Sequence, residues 1–184
     1  GSHDSANAAF RQAEQNGWRR IDIDVVNNRI VINAIETRPM LAGPGYMPDS
    51  LEIWCGSQGP IGLAEQISAA LSLPLEKVRV RTPDVGGSFG FKIFLHPEQL
   101  CLSWAARRLG KLVRWQQNRS EAFTSDLHGR DNRSQASAMI DENGRIHALQ
   151  VTAHANIGAW LSNFSTYIPT MSGCRTLTTI YDIP

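Results

Sequence analysis

Hydrophobic and polar positions alternate along several stretches of this chain, and each such stretch predicts a β-strand. Between Trp18 and Val26, Ile21, Ile23 and Val25 fall on one side and Arg20, Asp22 and Asp24 on the other, the pattern of a half-buried strand. Arg29–Ile35, Ser50–Cys55, Val78–Arg81 and Leu112–Trp115 supply further β-rich runs. Ser137–Ile140 and Arg145–His154 flank Asp141-Glu142-Asn143-Gly144, whose Asn-Gly marks the turn of a long hairpin. Helical spacing takes over elsewhere. Asp4–Gly17 is alanine-rich and closes on Asn16-Gly17 as a C-cap. A second helix opens at Pro60 with Ile61, Ala64, Ile67, Ala70 and Leu71 as its apolar stripe. A third, Pro97–Gly110, carries Leu100, Cys101, Trp104 and Ala105 as its expected buried face. Ser120-Glu121 begins a short helical or turn segment, and a last short helix is expected around Met171–Thr179. Arg38–Tyr46, with two prolines and two glycines, reads as a loop. The class expected is α+β: mixed sheets, a few packed helices and a long β-hairpin.

Composition narrows the function without supplying one. The 184 residues, 42% hydrophobic, suffice for one compact domain or two small lobes with a real core. A formal net charge of +1 leaves no electrostatic footprint for nucleic acid or a membrane surface. No apolar run approaches the roughly 18 residues of a membrane span, and no signal-peptide pattern is present. Gly1-Ser2-His3 reads as an expression-tag remnant, leaving 4–184 as the folded part. Cys55, Cys101 and Cys174 lie far apart, without CxxC or Cys/His ligand spacing. They read as reduced, cytoplasmic and mostly core thiols. The histidines are equally scattered, so no zinc site is expected.

Candidate chemistry gathers at Thr82-Pro83-Asp84-Val85-Gly86-Gly87-Ser88-Phe89-Gly90-Phe91-Lys92, between a strand and a helix. Glycine permits positive φ and close approach of a ligand to the backbone, and successive free N–H groups can form an anion-binding nest. A loop that grips an anion and a β-bulge without a ligand both fit these glycines. Spacing excludes two common sites. Only Gly87-x-x-Gly90 is available where a dinucleotide fingerprint needs G-x-G-x-x-G, and Lys92 does not stand where a Walker loop needs it. Gln58 sits at a second strand-to-helix junction, where it either faces a ligand or caps the helix start. Leu127–Asp131 is a polar loop, read as a solvated turn whose charges could also reach a site.

Three passages then carry a resemblance: Trp54-Cys55-Gly56-Ser57-Gln58-Gly59-Pro60, Pro83 through Lys92, and His128-Gly129-Arg130-Asp131. Glu36-Thr37-Arg38-Pro39, Trp104–Lys111, Gly158-Ala159-Trp160 and Tyr181-Asp182-Ile183-Pro184 follow in collinear order. Together they resemble the large, molybdenum-cofactor-binding subunit of the xanthine dehydrogenase, aldehyde oxidase and aerobic carbon monoxide dehydrogenase family. The resemblance covers nearly the whole chain and implies its first cofactor-binding domain.

What the resemblance implies is specific. Gln58, Gly59, Gly86, Gly87, Ser88, Phe89 and Gly90 would bind molybdopterin or its cytosine dinucleotide. Gln58 would hydrogen-bond a metal-bound oxygen, and Phe89 would stand beside it at the reacting centre. The pterin dithiolene would ligate the metal, so no protein ligand is expected. The implied reaction is hydroxylation or oxidation of a small molecule (carbon monoxide, an aldehyde or an N-heterocycle) with oxygen from water. Electrons would leave through a 2Fe-2S subunit and an FAD subunit. The glutamate base and the rest of the cradle match no residues here, so the remainder of the large subunit is an expected partner. The fragment alone is expected to be inactive, metal-poor and prone to self-association. A truncated homologue acting as a structural or interaction module, and a nucleotide-binding module, are the other readings.

Overall fold

The computed structural model of the protein describes residues 3–162 and 164–183. In chain order it contains α1 (His3–Gln15), β1 (Arg19–Asn27), β2 (Ile30–Val31), β3 (Met40–Pro44), β4 (Leu51–Cys55), α2 (Pro60–Leu71) and β5 (Val78–Arg81). There follow α3 (Pro97–Leu109), β6 (Val113–Trp115), α4 (Arg119–Ser125), β7 (His128–Gly129), β8 (Asn132–Ile140), β9 (Ile146–Ala155) and the short α5 (Gly173–Arg175). The fold is α+β. Residues through Ile30 together with those from Gly129 onward form one compact unit, and Val31–His128 forms the other.

In the Val31–His128 unit the sheet runs β5-β4-β3-β6. β4 and β5 are parallel, with Leu51 opposite Val78 and Trp54 opposite Arg81, while β3 pairs antiparallel with β4 and β6. Met40, Ala42, Leu51, Ile53 and Cys55 from the sheet meet Leu63, Ala64 and Ile67 of α2 and Ala106 of α3 to form the core. The position of β3 corrects the expected loop at Arg38–Tyr46. Its glycine is there to admit a neighbour, since a β-carbon on Gly43 would lie 2.7 Å from the Leu112 side chain, and Pro44 stands only at the strand's end. Packing here outweighs the turn-forming composition.

Two helix faces also differ from the expected ones. α3 buries Gln99, Ser103 and Ala106, with Leu102 packed beside them, and leaves Cys101 and Trp104 exposed. These positions keep the spacing of one helical face, rotated from the bulkier stripe. Small Ser103 and Ala106 let the helix approach the sheet closely. α2 buries Leu63, Ala64, Ile67 and Ser68, while Ile61 is 75% exposed.

The other unit has the three-stranded order β1-β8-β9, antiparallel throughout. The predicted hairpin is present, turning at Asp141–Gly144. α1 closes as expected, with Gly17 at φ 71 and Trp18 N–H bonded to the Ala13 carbonyl. It includes His3, although the sequence reading set that residue apart as tag. Phe10 and Ala13 pack on Met139 and Ala148, flanked by Ala9 and Trp18. That small core covers one end of the sheet only, so β1 is exposed along its whole length and Ile23 is 54% accessible. The expected half-burial of β1 is therefore corrected. The expected last helix lies earlier, as a wide turn Ile168–Ser172 running into α5. Among the described residues no helix is long and apolar enough to cross a membrane.

Candidate functional site

Parallel pairing of β4 and β5 decides where the candidate residues meet. Both strands end at the same edge of the sheet, so the Gly56–Gly59 turn leaving β4 and the Thr82–Gly90 loop leaving β5 emerge side by side. Carboxyl ends of neighbouring parallel strands are a recurrent place for ligand sites in sheets flanked by helices. Each loop then feeds a helix that opens on proline, α2 at Pro60 and α3 at Pro97.

Hydrogen bonds join the two loops. Ser88 Oγ donates to Gln58 Oε1 at 2.5 Å, and Gly90 N–H donates to the same oxygen at 2.9 Å. Lys92 N–H donates to Ser88 Oγ at 3.1 Å, and Gln58 N–H to the Lys92 carbonyl at 3.2 Å. A backbone N–H can only donate, so the Gln58 atom facing Gly90 must be the carbonyl oxygen. The amide Nε2 therefore points away, as a donor with no partner among the described residues. Gln58 is exposed at the junction, and α2 has no side-chain cap.

The glycine loop adds donors of its own. Gly87 and Gly90 have φ near +98 and +99, and Phe89 has φ 54. A phenylalanine in that region costs about 1–2 kcal/mol, and its ring is left 77% exposed. Among the described residues no acceptor faces the N–H groups of Gly87, Ser88 or Phe89. Thr82, at the loop's start, has a buried Oγ1 without a partner. The Gly86 N–H is turned to Glu36 Oε2 at 3.1 Å. Gly59 N–H is likewise engaged, by Ser57 Oγ at 3.1 Å. Gln58, Ser88 and Gly90 are thus bonded together, Gly87 and Phe89 share their loop, and Gly59 and Gly86 serve the local backbone.

Two residues at the site's base, Glu36 and Lys92, stand in the sequence without a sign that they pair. Glu36 accepts Lys92 Nζ on Oε2 at 2.7 Å, and Lys92 is 2% exposed. Beside them Cys55 has its thiol pushed up to about 11 by burial, against the pull of the Lys92 charge. It is a neutral core thiol and no nucleophile. Arg38 is also buried. Its Nε donates to Asp126 at 2.7 Å, its Nη1 to Glu98 at 3.1 Å, and its guanidinium lies 5.5 Å from the Trp115 ring centroid. Glu36-Thr37-Arg38-Pro39 stood in the sequence as part of the resemblance, but nothing in its composition showed that Arg38 would be buried and Glu36 partly so.

His96 supports the loop's far end. Its Nε2–H donates to the Phe91 carbonyl at 2.9 Å, and the two rings meet edge to face at 6.4 Å. Burial, then the Arg38 charge, hold its pKa below the ordinary 6.5. Between that lowered pKa and 6.5 the unfolded chain binds more protons than the folded one. Stability is therefore full above about 6.5 and falls as the medium is acidified. In His96→Gln, urea midpoints measured from pH 7 to 5 should show a shallower decline than in the parent chain. An unchanged slope would show that His96 is not its source.

N–H groups without an acceptor among the described residues and a bare glycine backbone are the kind of surface that suits an oxygen-rich, electronegative ligand. The chain belongs to the molybdopterin cofactor-binding domain family, whose model matches residues 2–184. It is 31% identical over 160 residues to the 6-hydroxypseudooxynicotine dehydrogenase complex subunit gamma of Paenarthrobacter nicotinovorans, covering 83% of this chain and 18% of that protein. It is 29% identical over 126 residues to the carbon monoxide dehydrogenase large chain of Hydrogenophaga pseudoflava, covering 68% and 16%. The crystal structure of quinoline 2-oxidoreductase from Pseudomonas putida 86 superposes with a TM-score of 0.83 at 28% identity, covering 90% of this chain and 21% of that one. The chain thus spans less than a quarter of the length of each. Its named relatives are oxidoreductases.

Proposed function

We propose that this chain is one wall of the cofactor site in the large subunit of a molybdenum hydroxylase. The observation that carries the reading is the outward Gln58 Nε2, fixed by Ser88 and Gly90 beside three free loop N–H groups. These donors suit the oxygen atoms of a molybdenum–pterin cofactor, in its simple or cytosine dinucleotide form. When bound, the cofactor supplies two-electron redox chemistry at the metal, which the twenty amino acids do not provide.

The chain's own work is narrower. Gln58 Nε2 and the Gly87, Ser88 and Phe89 N–H groups donate hydrogen bonds and hold the ligand's orientation. Donors set in advance toward negative oxygen cost no reorganisation when charge develops. Gly87 and Gly90 keep the backbone bare, and the Phe89 ring offers an apolar surface that excludes water. No residue of this wall is placed to act as a general base. The base, the remaining cradle, the 2Fe-2S and FAD partners and the choice among carbon monoxide, aldehyde and N-heterocycle belong to the rest of such an enzyme. The three cysteines, free in the structure, agree with a cytoplasmic setting.

Purified alone, the chain is expected to hold little or no molybdenum and to turn over none of these substrates. Free molybdopterin, added under anaerobic conditions and followed by pterin fluorescence, should bind weakly. Gln58→Leu should weaken that binding about 10-fold, the loss of one hydrogen bond to a charged acceptor. Binding unaffected by Gln58→Leu, or no binding at any concentration, would overturn the reading.

A further inference from the structure

Glu36 and Lys92 have no part in the proposed ligand contacts, yet Gly86 and Ser88 bond to them directly and Gln58 is joined to them through Ser88. Lys92 Nζ donates to the Glu36 carboxylate at 2.7 Å and to the Glu36 main-chain carbonyl at 3.0 Å. The same carboxylate oxygen accepts Gly86 N–H at 3.1 Å, and the Gly86 carbonyl accepts Glu36 N–H at 2.9 Å. Glu36 therefore grips both ends of the segment from Gly86 to Lys92. From Lys92 the linkage continues outward, through its N–H to Ser88 Oγ and through that hydroxyl to Gln58 Oε1.

Two glycines are explained by this pair rather than by a ligand. A β-carbon on Gly86 would stand 2.6 Å from Glu36 Cβ, and one on Gly56 would stand 3.0 Å from Glu36 Oε2 and 3.4 Å from Lys92 Nζ. Both positions are kept bare so that the ion pair fits beneath the loop. The pair is buried at its Lys92 end and 29% accessible at Glu36. An ion pair drawn out of water is no better a stabiliser than two apolar side chains of similar volume, and its best-attested use is to specify one arrangement over others.

We propose that the Glu36–Lys92 ion pair is a positioning device. It holds Gly86–Gly90 in the conformation that locks the Gln58 carbonyl and turns its amide outward. The inference rests on the reading that Gln58 faces the cofactor, but its test needs no cofactor. In the 15N-labelled chain, the Gln58 side-chain NH2 resonances and hydrogen exchange at Gly90 N–H report the lock directly. E36L/K92M replaces both charges with apolar groups of similar size. It should stay folded, with a urea midpoint close to the parent's, while Gly90 exchanges at least 10-fold faster and the Gln58 resonances move to free-amide positions.

If that pair variant fails to fold, Glu36→Gln, which keeps the shape and removes one charge, is read by Gly90 exchange and the Gln58 resonances, its midpoint being expected to fall because Lys92 loses its counter-charge. A folded variant of either kind with unaltered Gly90 exchange and unaltered Gln58 resonances overturns the proposal, because a merely structural pair would change the midpoint alone. Loss of the lock in a chain that binds no molybdopterin upholds the positioning role and removes the cofactor reading instead.

Discussion

Asp126→Ala should lower the stability of the Val31–His128 unit by about 3–5 kcal/mol, the usual loss when one partner of a buried ion pair is removed. The Asp126 and Arg38 side chains are each 2% accessible and meet at 2.7 Å. The carboxylate also accepts Gln117 Nε2 at 2.8 Å, while Gln117 Oε1 accepts Arg38 N–H at 2.8 Å. Removing it leaves a guanidinium in the interior with only Glu98, itself a third accessible, to balance the charge. Domains of this size are stable by about 5–15 kcal/mol, so roughly a fifth or more of the total is at stake. Urea unfolding followed by tryptophan fluorescence reads the change, since Trp115 lies against Arg38. Asp126→Asn, which keeps a carbonyl toward the guanidinium, should lose a smaller part. Asp24→Ala removes the partner of Arg133 on the exposed sheet and should leave the midpoint nearly where it was. Equal shifts for Asp24→Ala and Asp126→Ala would refute the distinction between the two pairs.

Burial is what the sequence concealed. Strands at Ser50–Cys55 and Val78–Arg81, both proline-opened helices and the Asn-Gly hairpin were legible because each has a local signal that packing does not contradict. β3 was not legible, since a central strand containing glycine and proline makes sense only beside Leu112. The face of α3 was misread for a related reason. Large apolar residues mark a stripe when a helix packs at ordinary distance, but small Ser103 and Ala106 mark it when the helix comes close.

At the site, Gln58 and the glycine loop were found as two junctions of the same kind. That the junctions touch follows from the parallel register of β4 and β5, which the residue pattern alone does not give. Glu36, Arg38, Lys92 and Asp126 carry charge, and a charged residue met in a sequence is reasonably taken as solvated. Their partners lie from 56 to 88 positions away, so the compensation is visible only in three dimensions.

Gly86→Ala is the second substitution expected to act strongly, and its effect should reach the site as well as the fold. The added β-carbon would stand 2.6 Å from Glu36 Cβ and 3.3 Å from Glu36 N. Neither atom is the free end of a flexible side chain, so the backbone must part, at about 1–3 kcal/mol for an overpacked position. Parting breaks the reciprocal bonds between Gly86 and Glu36 and frees the near end of the loop. Gly62→Ala supplies the contrast, because it lies in α2 with nothing within 4 Å of a new β-carbon. Alanine there should be neutral or stabilise by about 0.5–1 kcal/mol through helix propensity. Gly90→Ala meets open space but sits at φ +99, so its cost is backbone strain alone and the Glu36 contacts stay intact. Thermal unfolding together with exchange at Gly90 N–H separates the three. Gly86→Ala should lower stability and speed exchange, and Gly62→Ala should do neither. A Gly86→Ala chain with parental stability and parental exchange would show that the loop does not need the close approach to Glu36.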